Sequence, residues 1–501
     1  LLCSFFHALG PWLQREFPWQ TALLAHSSLC AIAAIISRNL ERDERSVLTT
    51  PLNYSALLTS FIAVVCLIQA RRWETTAMQS TRFFWLAGIW LVLLWLNRNR
   101  ALFTAFQIAL TCALVLAIKA ALQQYDWYAY LPHAFLHPWG LQIQGTALVL
   151  LSLGWILLRW WSHKLQFVDG GVGTTDETSN RTRDKLKFLG HFRHFLDARW
   201  SFDRLVLWFV LSGFMLLAAY GALSGVTREL TAQDVSNPSW DIAGFPHEQA
   251  LQLGSWILLA LLVIAMLASF WQRRRSIYLV GAVASLTAMI PLFAGTWETQ
   301  IATASAWRWL AALFLVLASL PVWFHERFSS QLKGLGWPQV EISKHELAGR
   351  LRILLLILTI APLLLLTAYP AVRAIYYMPV HGPAAGFFAL LEDSFSYGVP
   401  LVLVALVIIG YALRERLPSY AFAAVLFLNL TVTVAHLLSV VAVNGSMDRV
   451  VLAHTIQLNA IVLALYAIVW LMSLHRWLPR LSEDRAKESK ALLTVLIAIA
   501  I

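Results

Sequence analysis

Charged side chains are scarce in this chain of 501 residues: they make up 13% of it, whereas hydrophobic side chains make up 59%. In a soluble protein roughly a quarter of the residues are charged. Apolar stretches of about 18 residues or more recur along most of the chain, and stretches of that length cross a bilayer as helices. The composition therefore argues against a soluble fold and predicts an all-α, polytopic integral membrane protein.

Cysteine is also scarce, with four residues that all lie in separate apolar runs: Cys3, Cys30, Cys66 and Cys112. They have no spacing typical of a metal site and are interpreted as small buried apolar side chains. We therefore predict no metal site, and the cofactor stays unknown. Nucleic acid is not an expected partner, because the basic residues do not form a basic soluble domain.

The apolar runs predict 13 full transmembrane helices, with boundaries accurate to a few residues. They lie at about 20–37, 52–70, 83–97, 101–121, 141–161, 204–224, 251–271, 277–294, 307–324, 351–369, 397–413, 419–441 and 455–474. Partial spans lie at 1–9 and 491–501. The chain begins at Leu1 and stops inside the second partial span, so we expect it to be a piece of a longer protein.

Lysine and arginine predict the orientation of the spans. Of the 38 lysines and arginines, 29 fall in one alternating set of connections and 9 in the other. Cytoplasmic connections carry the excess of positive charge. We therefore place the basic set in the cytoplasm and predict a multi-pass protein of the cell inner (cytoplasmic) membrane.

The spans and connections divide the chain into five predicted segments. These are N-terminal transmembrane helices with an aromatic outer loop (1–161), a basic cytoplasmic loop with an amphipathic helix (162–203), middle transmembrane hairpins (204–324), a cytoplasmic connector (325–350) and C-terminal transmembrane helices (351–501).

Successive helical hairpins form the predicted arrangement of the spans. Three similar stretches, HPWGLQ from His137, HEQALQ from His247 and HTIQLN from His454, open runs that re-enter the membrane from the outer side. This similarity favours a duplicated hairpin, although chance and shared membrane constraints explain it as well. Each histidine is interpreted as part of an interfacial helix start or, alternatively, as part of an outer ring of histidines.

Polar and aromatic side chains in the outer loops are the candidate site residues. Asp126, His137 and His247 are the predicted acid–base groups, and Trp127 is a predicted ring for stacking on a sugar. Outer arginines suit phosphate, because their planar fork makes bidentate contacts. The four that we predict to bind the substrate are Arg71, Arg72, Arg82 and Arg373.

These loops favour a binding or catalytic face that handles lipid-linked glycans, with membrane lipids as further partners. In outline only, the plan resembles membrane enzymes of the O-antigen ligase and polymerase group; no residue motif of that group is present, so no residue role is transferred.

One alternative is a non-catalytic scaffold or subunit of a larger membrane assembly. Another is a transporter of neutral or apolar cargo, since several span interiors lack the ionisable groups of ion-coupled carriers. Whether His436 and His454 hold a haem or a metal stays open.

The orientation is testable by labelling single cysteines in a variant without the native ones. A cysteine in 232–246 should react with an impermeant maleimide in intact cells, because that connection is predicted to face outward. A matched cysteine in 170–201 should react only after permeabilisation. The opposite pattern would contradict the orientation.

Overall fold

The structure is a computed structural model in which part of the chain is described. It describes residues 19–37, 42–69, 75–97, 99–129, 136–169, 202–231, 247–273, 275–296, 302–324, 344–376, 387–415, 417–444, 448–477 and 483–500.

All regular secondary structure in these ranges is helical, which confirms the predicted all-α class. The helices are α1 (Trp19–Ile36), α2 (Arg42–Gln69), α3 (Thr76–Asn97), α4 (Arg100–Leu122), α5 (Asp126–Ala129), α6 (Pro138–Asp169), α7 (Phe202–Thr231), α8 (Leu253–Arg273), α9 (Ser276–Thr287), α10 (Met289–Thr296), α11 (Thr303–Trp323), α12 (Lys344–Ile375), α13 (Phe387–Leu390), α14 (Glu392–Glu415), α15 (Pro418–Asn444), α16 (Arg449–Trp477) and α17 (Glu483–Ala500). A short 3-10 helix, His247–Leu251, precedes α8.

Thirteen stretches of the described helices are long and apolar enough to cross a membrane, and each matches one predicted span. The helices α9 and α10 together form one of them. The protein is thus a multi-spanning membrane protein by the length and composition of its helices. Of the two partial spans, 1–9 lies outside the described residues, and 491–501 corresponds to the second half of α17.

Several helices are longer than the predicted spans, because polar and charged residues beyond the apolar run are also helical, and three of them change where a charged residue lies. The span expected at 83–97 begins at Thr76, which places Arg82 in α3 rather than in a loop. Similarly, α7 continues to Thr231 and includes Glu229, and α12 continues to Ile375 and includes Arg373. The length of an apolar run predicts the part of a helix that lies in the bilayer core, and these helices continue beyond the apolar run.

Helical hairpins are present, as predicted, and the most extensive contacts between consecutive helices lie across the short basic turns. The pairs are α1 with α2, α3 with α4, α8 with α9, and α14 with α15. A connection of a few residues between two complete spans favours an antiparallel pair that packs side by side.

The three histidine stretches occupy three different positions, so the repeated letters do not mark a repeated structure. His137 directly precedes α6, and its carbonyl accepts the first-turn bond from the Leu141 amide at 3.0 Å. His247 begins the 3-10 helix instead, and His454 lies within the second turn of α16.

The chain forms two compact units, Leu1–Ser212 and Gly213–Ile501, each with its own core. In the first unit, Trp155 of α6 packs edge-on against Phe103 and Phe106 of α4, with ring centroids 5.7 and 5.9 Å apart. In the second unit, a core cluster joins α11, α12, α14 and α15 around buried side chains such as Leu315 and Leu363. The five predicted segments stay a prediction.

Small polar side chains hold helices together inside both units. In the first, Ser27 donates to the Ala56 carbonyl at 2.8 Å, and the Trp90 indole donates to Ser60 at 3.0 Å. In the second, the Asn459 amide donates to Thr433 at 2.8 Å. Association of helices in lipid depends on close packing and on such interhelical bonds, because lipid tails are as apolar as the helix surfaces.

Gly410 of α14 is a close-contact position against α11. A Cβ added there would lie 2.5 Å from Cζ2 of Trp323, whereas one added at Gly398 on the same helix would meet nothing closer than 3.7 Å. We expect Gly410→Ala to lower the free energy of unfolding by about 1–3 kcal/mol, because the rigid indole must move. Gly398→Ala is the matched control and should be neutral or stabilising, since alanine favours helix. Thermal unfolding in detergent micelles measures both; equal stability of the two variants would contradict this packing.

Candidate functional site

Asp126, Trp127 and His137 come together where the chain passes from α4 to α6 in the first unit. Tight hydrogen-bonded turns follow α4: the amides of Gln124 and Tyr125 donate to the carbonyls of Ala121 and Leu122 at 3.2 and 3.0 Å. The single-turn helix α5 comes next, so both loop residues lie close to the start of α6. Together with neighbouring rings they form what we name the loop aromatic cluster: Tyr125, Trp127, Tyr128, His137 and Trp139.

Trp127 lies at the centre of this cluster. Its ring centroid is 4.7 Å from that of His137 and 5.3 Å from that of Trp139, with the two indoles nearly perpendicular at 88°. It also contacts Tyr128 edge-on at 5.5 Å and lies 6.5 Å from Tyr125. Such edge-to-face pairs are favourable because the positive edge of one ring meets the negative face of another. The arrangement fixes the Trp127 ring from several sides.

The cluster has a buried base and an exposed rim. His137 is only 2% exposed and Tyr128 is also buried, whereas Tyr125 is 58% exposed and Asp126 is exposed. Trp127 and Trp139 are half-buried between them. A molecule in the surroundings therefore meets Trp127, Tyr125 and Asp126 first.

Burial also determines the protonation states of the two buried side chains of the cluster, His137 and Tyr128. It lowers the pKa of His137 below its usual value of 6.5 and raises the pKa of Tyr128, because both charged forms lose hydration. His137 is thus neutral at neutral pH and lies beneath Trp127. Its predicted catalytic role stays a prediction, and its burial favours a role in positioning the Trp127 ring.

The remaining predicted site residues do not join this cluster in the described part of the chain. Arg71 and Arg72 lie outside the described residues, and of His247, in the second unit, the structure describes the backbone alone. Arg82 is buried in α3, where a phosphate in solvent would not reach its guanidinium.

Arg373 of α12 contacts a helix end instead of a solvent-exposed ligand. Its Nη1 donates to the Leu230 carbonyl at 3.0 Å, one residue before α7 ends. The final carbonyls of a helix lack partners within the helix, and a cation there also interacts favourably with the helix dipole. Arg373 therefore stabilises the end of α7 beside Glu229.

A second polar group, which sequence reasoning missed, is buried in the second unit. We name it the Glu229 cluster: Glu229 of α7, Ser305 and Arg308 of α11, and Ser396 and Tyr397 of α14. All five side chains are buried. It joins three helices that are far apart in sequence.

Glu229 caps the amino-terminal end of α11. Its carboxylate accepts bonds from the Ala304 amide at 2.5 Å and the Ser305 amide at 3.1 Å, and from the Ser305 hydroxyl at 2.5 Å. The first amides of a helix have no partner within the helix, and the dipole at that end favours negative charge. A carboxylate from another helix thus satisfies donors that lipid could not.

Arg308 completes the charge balance of this cluster. It is fully buried, and its Nη2 lies 4.0 Å from Glu229 while donating to the Ser305 hydroxyl at 2.8 Å. Its guanidinium lies over the Tyr397 ring at 3.7 Å from the centroid. A buried cation over an aromatic face is attracted by the negative charge of the ring face.

Two further ion pairs lie near the ends of spans. In the first unit Arg159 of α6 donates to Asp203 of α7 at 2.6 Å, and both side chains are 2% exposed. In the second unit Arg352 of α12 pairs with Glu415 of α14, and it also lies over the Tyr420 ring at 4.9 Å. A signal was present in the sequence: each pair joins opposite charges within a few residues of the ends of predicted spans on the same side.

His436 and His454 lie on α15 and α16. The His436 side chain is half-buried and that of His454 is exposed, and a haem between them stays untested. Among the residues that the structure describes, no group of three or more His, Cys, Asp and Glu side chains has the geometry to hold a metal ion.

Comparisons with protein-family models, with curated proteins and with solved structures give no match. The class of the protein, a multi-spanning membrane protein, therefore follows from its helices alone.

The Glu229 cluster predicts an asymmetric double-mutant cycle. Arg308→Leu should cost about 3–5 kcal/mol of unfolding free energy, because it leaves the Glu229 carboxylate buried without its counter-charge. Adding Glu229→Gln should recover part of that loss, since the amide oxygen still accepts bonds from α11 and no charge remains. Unfolding in detergent micelles measures the four proteins. Strictly additive losses would contradict the pairing.

Proposed function

We propose that this protein binds a lipid-linked glycan at its extracytoplasmic face, in a cell inner membrane, and that the loop aromatic cluster contacts the sugar. One observation carries the proposal: Trp127 is held by four neighbouring rings yet keeps part of its surface open, and Asp126, the residue before it in the chain, is exposed. A fixed ring is well suited to binding, because little side-chain freedom remains to be lost.

The chemistry of the rim supports a sugar ligand. The faces of Trp127 and Tyr125 provide apolar area for stacking on the carbon–hydrogen face of a pyranose. The Asp126 carboxylate accepts hydrogen bonds, and sugar hydroxyls donate them. Ligand sites typically combine aromatic side chains with a few polar groups. Here the ring would hold the sugar, and the carboxylate would bind its hydroxyls.

The position of the cluster supports a lipid-anchored ligand rather than a free one. It lies between the ends of two helices that are apolar enough to span the membrane, and thus at the depth of lipid headgroups. In the proposal, Arg71 and Arg72 contact the diphosphate of the lipid, since both precede α3 on the same predicted side. Catalysis is not part of the proposal, because the imidazole of the nearest histidine is buried.

Binding of a fluorescent polyprenyl-diphosphate-linked disaccharide, in polyoxyethylene detergent micelles, tests the proposal. Trp127→Ala should weaken binding at least tenfold, because the stacking face is lost. The matched control is Trp161→Ala, which removes an indole that is 60% exposed near the opposite end of the α6 span. Equal affinity of wild type and Trp127→Ala, or equal losses in both variants, would contradict the proposal.

The second candidate function is that of a subunit in a larger membrane assembly, and α16 favours it. This helix exposes much of its surface, including the side chains of His454 and Gln457. Gln457 lies within the membrane-spanning part of α16, and its side-chain amide makes no hydrogen bond to the described residues. An amide in hydrocarbon is costly without partners, and glutamine commonly bonds across helix interfaces.

The subunit candidate predicts that the mass of the purified particle depends on Gln457. Gln457→Leu should reduce the mass measured by light scattering in mild detergent to that of one chain, because the interhelical amide bond is lost. Leu458→Ala, one residue on, is the control for a general effect of altering α16. A wild-type particle that already has the mass of a single chain would remove this candidate.

A further inference from the structure

At the rim of the loop aromatic cluster, Trp127 and Trp139 form a corner, whereas stacking on a sugar needs only one flat ring face. The indoles of Trp127 and Trp139 meet at 88° with centroids 5.3 Å apart, so they form two walls at a right angle. Tyr125 lies to one side, 6.5 Å from Trp127 and tilted by 30°. Asp126, which lies between Tyr125 and Trp127 in the chain, carries an exposed carboxylate.

The electrostatics of this corner favour a positive ligand. The faces of tryptophan and tyrosine carry partial negative charge, and a cation within about 6 Å of a ring centroid is attracted to them. Several rings around one point, together with a carboxylate, are the combination that recognises ammonium groups. The same features repel an anion, so the phosphates of a lipid would have to lie elsewhere.

We propose that this corner binds an ammonium group. This inference rests on the proposed function and names the feature of the ligand that the site recognises: a positively charged amine on the sugar, or on a lipid headgroup. Trp127 and Trp139 enclose the ammonium group, Tyr125 adds a third ring, and Asp126 balances the charge. His137 contributes no competing positive charge, because burial keeps its imidazole neutral beneath Trp127.

Choline and its uncharged isostere 3,3-dimethylbutan-1-ol separate charge recognition from shape. Saturation-transfer NMR with the full chain in polyoxyethylene micelles should show choline binding at least fivefold tighter than the isostere. Trp127→Ala and Asp126→Asn should each weaken choline binding at least threefold, and Trp161→Ala should leave it unchanged. Equal binding of choline and the isostere, or full choline binding by Asp126→Asn, would overturn the inference.

A further variant, Trp127→Phe, separates loss of binding from misfolding of Trp127→Ala. Trp127→Phe keeps a ring in the cluster with a weaker electrostatic face, so it should unfold at the wild-type temperature and bind choline with intermediate affinity. Wild-type affinity in a folded Trp127→Phe would also overturn the inference, because cation binding should follow the strength of the ring.

The source of the amine is resolved with two pairs of probes. Glucosamine binding more tightly than N-acetylglucosamine would support an amino sugar, whereas retention on vesicles of phosphatidylethanolamine over phosphatidylglycerol would support a lipid headgroup. If the glycan-linked lipid binds without preference for a free amine, this inference fails and the proposed function stands. If choline binds selectively and the glycan-linked lipid does not bind, the proposed function fails and the ammonium site stands.

Discussion

The hydrocarbon core of a bilayer offers no hydrogen-bond partners, so a polar group that is buried among the spans needs a partner within the protein. The Glu229 carboxylate provides this for α11, because it accepts bonds from the first amides of that helix. Arg308 then supplies the counter-charge that permits Glu229 to be buried. The Arg159–Asp203 and Arg352–Glu415 pairs follow the same logic at other helix ends. Charge in this protein is therefore concentrated where helices begin and end.

The spans could be predicted from the sequence because their signal is local. An apolar run such as 251–271 identifies a transmembrane helix without knowledge of its neighbours, and α8 occupies Leu253–Arg273. The ends of other spans were harder to predict. Glu229 and Arg373 are charged residues beyond the apolar runs, so the sequence predicts them in loops. Both are helical, and each makes hydrogen bonds to another helix.

The loop aromatic cluster and the Glu229 cluster differ in how far the sequence could predict them. Asp126, Trp127 and His137 belong to one connection between consecutive spans, so their proximity was predictable from the loop alone. The contact between Glu229 and Ser305 joins residues 76 positions apart, and no local pattern indicates which helices pack together. The burial of His137 beneath Trp127 was also beyond the sequence, because it depends on the turn that follows α4.

Hydrogen–deuterium exchange in nanodiscs tests most directly whether Glu229 supplies the missing partners of α11. Amides in the first turn of a helix usually exchange fast, because they lack acceptors within the helix. Those of Ala304 and Ser305 should instead exchange as slowly as amides in the middle of α11, and Glu229→Ala should accelerate both. Fast exchange of these two amides in the wild-type protein would contradict the account.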